Sequence, residues 1–186
     1  MVQEDALVPV IDLLNQMKIP YMLVGGLAAN YYSIPRLTHD ADILVEMKPE
    51  HALVLAERLQ SAYFVDPEAI RQAIASRGQS NLIHLETGFK IDLWILEDTD
   101  FDRLRFSRRL AGRAFGRDVF LSAPDDLILV KLLWFKQSDS QKHYLDALGL
   151  YRAQRAALDL DYLRTQAACL SVTTLLGQLE SEAGPA

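Results

Sequence analysis

At 186 residues, half of them hydrophobic, the chain is sized for one domain, or for one small domain with a helical extension, and has enough apolar mass to bury a core. That composition excludes intrinsic disorder, and a formal charge of −6 excludes a nucleic-acid binder that uses its whole surface. A single cysteine, Cys169, allows no internal disulfide. With no secretory leader and no apolar run long enough for a bilayer, the expectation is a cytoplasmic protein away from membranes.

In chain order, apolar spacing at Leu7, Val10, Ile11 and Leu14 predicts a helix over 5–17, with Pro9 near its first turn. Tyr21-Met22-Leu23-Val24 reads as a short buried strand that runs into Gly25-Gly26, and 27–32 as a short helix closed by Ser33-Ile34-Pro35. Asp40 to Val45 alternates as a strand with Asp40, Asp42 and Leu44 on one face. Pro49 opens a helix to Leu59, and a further helix is expected over 67–77. Residues 80–86 and 90–96 read as two strands joined at Thr87-Gly88, and 112–122 as a hairpin turning near Gly116. Ser122 is the expected cap of a helix over 125–137, followed by helices over 140–154, 161–170 and 173–181. The expected fold class is therefore α/β (α+β): a mixed β-sheet flanked by helices over 1–122, then a helical part over 123–186 packed on it. Cys169 reads as a small core residue.

The chemistry sits in three acids. Residues two apart on a strand lie ~6.5–7 Å apart with parallel side chains, so Asp40 and Asp42 can grip one divalent ion. Asp92 interrupts Lys90-Ile91-Asp92-Leu93-Trp94-Ile95-Leu96, which otherwise reads as a core strand. An acid buried there is either paired in a salt bridge with an arginine or is a third metal ligand, and the second reading accounts better for the whole set. Gly25-Gly26 between strand and helix lets backbone N–H groups approach a phosphate at the positive end of a helix. Three carboxylates with divalent cations suit phosphoryl or nucleotidyl transfer, with Asp92 additionally placed as general base.

Gly25-Gly26, Arg36-x-Thr38-x-Asp40-x-Asp42 and Ile91-Asp92-Leu93 together resemble the motif set of the nucleotidyltransferase fold, the DNA polymerase beta-like superfamily. The likeness is closest to the minimal bacterial nucleotidyltransferases, including those related to abortive-infection toxins. The segment from Ser122 to Lys131 resembles the helix that opens the C-terminal part in that group. The resemblance implies that Asp40, Asp42 and Asp92 are catalytic and bind Mg2+ or Mn2+, and that Gly25 and Gly26 hold the triphosphate of an NTP. It implies transfer of an NMP to a hydroxyl acceptor: tRNA, a protein or a small molecule. The alternative is a non-catalytic nucleotide-binding or toxin–antitoxin partner module on the same fold. This chain departs from the pattern at Gly26, where Gly-Ser is common, and at Ser33, where many relatives carry Gly.

Two cations and one basic run complete the candidates. Arg36 either contacts phosphate or clamps Asp40. Lys131, the one charge in a nearly all-apolar helix, either contacts the nucleotide's phosphates or disposes of its charge by reaching solvent or pairing with Asp146. Arg103, Arg105, Arg108, Arg109, Arg113 and Arg117 form a run with no acid among them, readable as a solvated hairpin or as a patch for a nucleic-acid acceptor such as tRNA. The four histidines show no zinc spacing, and there is no G-x-S-x-G elbow.

Overall fold

The computed structural model describes residues 2–184. Its chain forms two compact units. The first comprises the segment through Leu27 together with Leu37–Leu121; the second comprises Ala28–Arg36 and everything described from Ser122 onward.

The first unit is built on a sheet of seven strands. They are β1 (Tyr21–Val24), β2 (Asp40–Val45), β3 (Tyr63–Phe64), β4 (Gln79–His84), β5 (Lys90–Ile95), β6 (Leu110–Ala114) and β7 (Arg117–Leu121), in the spatial order β3-β4-β5-β2-β1-β7-β6. The β2–β5 and β1–β7 pairs are parallel and the rest antiparallel, so the sheet is mixed, as the sequence pattern predicts. One face is largely apolar. Leu23, Ile43, Leu82, Ile91 and Leu93 are fully buried there, together with Leu7, Ile11 and Leu14 of α1 (Val2–Gln16), Leu55 of α3 (Pro49–Leu59) and Ile70 of α4 (Pro67–Ser76). The opposite face carries a smaller cluster of Met22, Val24, Leu44, Leu96 and Phe106, with Trp94 packed against it.

Several elements differ from expectation. α1 begins at Val2, so Pro9 lies inside it rather than in its first turn. Proline lacks the N–H that would bond the carbonyl of Asp5, and both residues are exposed. Burial of Leu7, Val10, Ile11 and Leu14 outweighs the lost bond. The sequence reading also passed over β3 and α5 (Asp100–Ser107), which is capped by the Thr99 side chain accepting from the backbone N–H of Asp102.

The second unit is helical: α6 (Pro124–Ser138), α7 (Gln141–Gln154), a 3-10 turn over Arg155–Ala157, α8 (Leu160–Cys169) and α9 (Thr173–Ala183). It also takes in the later residues of α2 (Gly25–Tyr32), a helix that starts in the first unit. Ser122 does not cap α6; the cap position is Ala123, and the Ser122 hydroxyl is buried without a partner. Two buried acids in the first turn of α6 instead tie down α8. Asp125 accepts from the backbone N–H of Asp159 at 2.8 Å, and Asp126 from the Tyr162 hydroxyl at 2.5 Å. Their charge at a helix N-terminus is favourable, which eases the cost of burying them. Cys169 ends α8 exposed, not in the core, because the buried stripe of that helix is Leu163 and Ala167.

Candidate active site

β2 and β5 lie side by side near the middle of the sheet, in a register that pairs Asp40 with Lys90, Asp42 with Asp92 and Leu44 with Trp94. Paired residues point to the same face, and neighbouring strands are ~4.8 Å apart. The alternation that buries Ala41, Ile43, Val45, Ile91, Leu93 and Ile95 on one side therefore projects Asp40, Asp42, Lys90, Asp92 and Trp94 from the other. All three predicted acids share one face of two adjoining strands.

Each acid has its own environment. Asp92 is 4 % exposed; its Oδ2 lies 2.8 Å from the Lys90 ammonium, while Oδ1 is buried with no hydrogen-bond partner. Asp42 is half-buried and its Oδ1 accepts a 3.1 Å hydrogen bond from the Trp94 indole N–H. Its other oxygen sits against Gly25: a Cβ at that position would come within 1.9 Å of Oδ2. Gly25 also has φ +61°, a left-handed backbone that disfavours any side chain. Two independent constraints thus require glycine at the turn where β1 enters α2. Gly26 follows, buried, in the first turn of that helix. Asp40 is half-buried one step along β2, after a loop anchored at the buried Thr38, whose carbonyl and hydroxyl accept from the Gln3 side chain at 2.7 and 3.3 Å.

Lys90 and Trp94 are site residues that sequence reasoning missed. The signal was present: Lys90-x-Asp92-x-Trp94 has the strand period that puts all three on one face. The hydrogen bond to Asp92 raises the Lys90 pKa, against the opposing effect of burial, and the charges of Asp92, Asp40 and Asp42 add to it. The pairing alternative foreseen for Asp92 is therefore realised through one oxygen, by a lysine rather than an arginine, and the acids have a cation of their own.

Among the described residues, no three His, Cys, Asp or Glu side chains are already gathered as a metal site. The donors nevertheless fit a hard divalent cation: all three are carboxylates, the chemistry that Mg2+ and Mn2+ select. Asp92 Oδ1 is an orphaned buried oxygen of the kind a cation satisfies.

Arg36 and Lys131 meet in the second unit. Arg36 donates from Nε to Oδ1 of Asp146 at 2.8 Å and from Nη2 to Oδ2 at 2.7 Å, a bidentate pair. Lys131 Nζ donates to Oδ2 of the same carboxylate at 2.8 Å. Burial pushes the Asp146 carboxyl up, but the hydrogen bonds and charges of Arg36 and Lys131 outweigh it and hold the group below its ordinary value. Nearby, burial and then the Lys131 charge hold His143 below the usual imidazole range.

The arginine run is largely occupied within the first unit. Arg103 pairs with Asp98, Arg105 with Asp102 and Arg117 with Asp12. Arg109 lies over the rings of Phe106 and Phe120, 4.6 and 5.2 Å from their centroids, and donates to the Phe106 carbonyl. Four of its six arginines lie on or just after α5, so it is not a hairpin alone.

No protein-family model and no curated protein matches the sequence. Solved structures do match. An antigenic nucleotidyltransferase-like protein from Paracoccidioides brasiliensis superposes with TM-score 0.64 at 18 % identity, over 97 % of this chain and 88 % of that one. The antibiotic-resistance factor ANT(2'')-Ia does so with TM-score 0.54 at 14 % identity, over 97 % of each chain. The superposition extends over nearly the whole chain, which has the nucleotidyltransferase fold.

Proposed function

We propose that this chain is a metal-dependent nucleotidyltransferase that moves an NMP from an NTP to a hydroxyl-bearing acceptor. The observation that carries the reading is the pairing of Asp42 with Asp92 on adjacent parallel strands, with Asp40 one step away on the same face. Asp40, Asp42 and Asp92 are the residues that would hold Mg2+ or Mn2+. When bound, such ions neutralise the triphosphate's charge and lower the pKa of the attacking hydroxyl.

The chain's own groups supply the rest. The first turn of α2, opened by Gly25-Gly26, offers backbone N–H groups and a positive helix end to phosphate. Asp92 holds Lys90 through Oδ2 and keeps Oδ1 for the cation, and its carboxylate is the general base for the acceptor's hydroxyl. The acceptor oxygen then bonds to the α-phosphorus as the α–β bridging bond breaks, and pyrophosphate leaves. Trp94 fixes the orientation of Asp42. Lys131 pairs with Asp146, the alternative to a phosphate contact, and Arg36 clamps that same carboxylate rather than Asp40.

A second reading, a nucleotide-binding module without catalysis, is favoured by one observation: the Lys90 ammonium occupies one of the two Asp92 oxygens that a cation would use. Incubation with α-labelled NTPs, Mg2+ and a cell extract separates the two. An enzyme labels an acceptor, and Asp92→Asn abolishes the label while retaining nucleotide. A module binds nucleotide and labels nothing.

A further inference from the structure

The rows that carry the acids continue outward across the sheet onto a face that is bare. Asp40 pairs with Lys90, Lys90 with Ile83 and Ile83 with Phe64; in the next row Asp42 pairs with Asp92 and Asp92 with Asn81. Side chains in a row share a face, so Phe64, Ile83 and Asn81 stand on the same surface as the three acids. Burial alternates along β4: Ser80, Leu82 and His84 are buried, whereas Gln79, Asn81 and Ile83 are exposed. Phe64 is 63 % exposed, Leu85 61 % and Ile83 36 %. An exposed aromatic and two aliphatic side chains on an outer strand pair are costly unless something covers them.

We propose that this face is the acceptor platform of the site, and that the acceptor is a small hydroxyl-bearing molecule with an apolar ring face. The inference rests on the nucleotidyltransferase reading above. Strand spacing puts Phe64 two strands and one row from Asp92, about 12 Å away. A molecule of two or three rings lying over Ile83 and Phe64 thus brings a hydroxyl at one end beside the row of acids. Asn81, the direct neighbour of Asp92, supplies a neutral donor and acceptor between them. In the transfer, that hydroxyl gives its proton to Asp92, its oxygen bonds to the α-phosphorus, and pyrophosphate departs.

Charge decides against a nucleic acid. Lys90 is the one cation in these rows and is engaged with Asp92; Arg103, Arg105 and Arg117 are each paired with an aspartate, and the chain carries a net −6. A polyanion laid along these rows meets a single cation, one already engaged by an acid.

The test uses the full chain and two variants that remove apolar surface at exposed positions, Phe64→Ser and Ile83→Thr. Each is assayed for Mg·ATP binding by calorimetry and for transfer from α-labelled ATP to two pools, the dialysable metabolites of a cell extract and its total RNA. Expected are unchanged Mg·ATP binding, label in the dialysable pool, and an acceptor KM raised about tenfold per variant. Label confined to RNA overturns the proposal, as does label in the dialysable pool that neither variant alters. A chain that the wild-type face holds as a dimer, and that Phe64→Ser makes monomeric with undiminished transfer, shows a self-interface and also overturns it. Absence of Mg·ATP binding or of any transfer in the wild type overturns the underlying reading instead, and the acceptor platform with it.

Discussion

The indole N–H of Trp94 donates a 3.1 Å hydrogen bond to Oδ1 of Asp42, two residues along β5 from Asp92 and one strand away. That bond fixes one oxygen of a carboxylate that stands among other acids. Trp94→Phe keeps the ring against Met22, Val24 and Leu44 while deleting the donor. A hydrogen bond to a charged group contributes about 1.5–3 kcal/mol, so transfer activity is expected to fall roughly 10- to 100-fold. Circular dichroism of the variant is expected to match wild type. Full activity in Trp94→Phe means that Asp42 is oriented by something else.

Gly25→Ala should injure both fold and site. The left-handed backbone costs about 1–2 kcal/mol for any L side chain, which lowers Tm by roughly 2–8 °C in a chain of this size. The new Cβ also drives into Asp42, so Mg·NTP binding is expected to be lost along with it. Calorimetric melting and nucleotide titration measure the two effects separately. A variant that melts lower but binds normally would place the carboxylate elsewhere in solution.

Asp146 holds two buried or half-buried cations, and removing it leaves both uncompensated. Asp146→Ala is expected to cost about 3 kcal/mol in urea unfolding, the lower end for a broken buried pair because Arg36 is partly solvated. The pH dependence follows from the depressed folded-state pKa. The contribution is complete above the unfolded carboxyl value of about 3.9 and is lost as pH falls through the lower folded value. Stability of the wild type should therefore drop below about pH 4 more steeply than that of Asp146→Asn.

His143 acts in a different window. Its imidazole, packed against Trp134 with ring centroids 6.2 Å apart, has a pKa lowered by burial and by Lys131. Below the unfolded value of about 6.5 the unfolded chain binds the proton more readily, so stability falls as pH drops from there toward the folded value. His143→Phe is expected to flatten that slope in chemical unfolding curves measured from pH 7 to pH 5. An unchanged slope would assign the titration to another group.

How much of this was written in the sequence depends on range. Alternation in Asp40–Val45 and Lys90–Ile95 gives both strands and the shared face of Asp40 and Asp42 almost to the residue. The same alternation aligns Lys90 and Trp94 with Asp92. The register that brings Asp42 beside Asp92 joins residues fifty apart and has no local signature. Nor has the Arg36–Asp146 pair, whose partners lie 110 positions apart. α5 was hidden for another reason: it buries only Asp102 and Phe106 and shows no apolar stripe, so its Thr99 cap was the sole cue. β3, two residues long, is defined by pairing with β4 and by nothing in its own composition.

The central claim, that Asp40, Asp42 and Asp92 together make a divalent-ion site for an NTP, is tested most directly by isothermal titration of NTP with and without Mg2+. Wild type should bind only with Mg2+ present, and Asp42→Ala should show no binding under either condition. Binding of equal affinity in wild type and Asp42→Ala, or binding indifferent to Mg2+, would contradict the account.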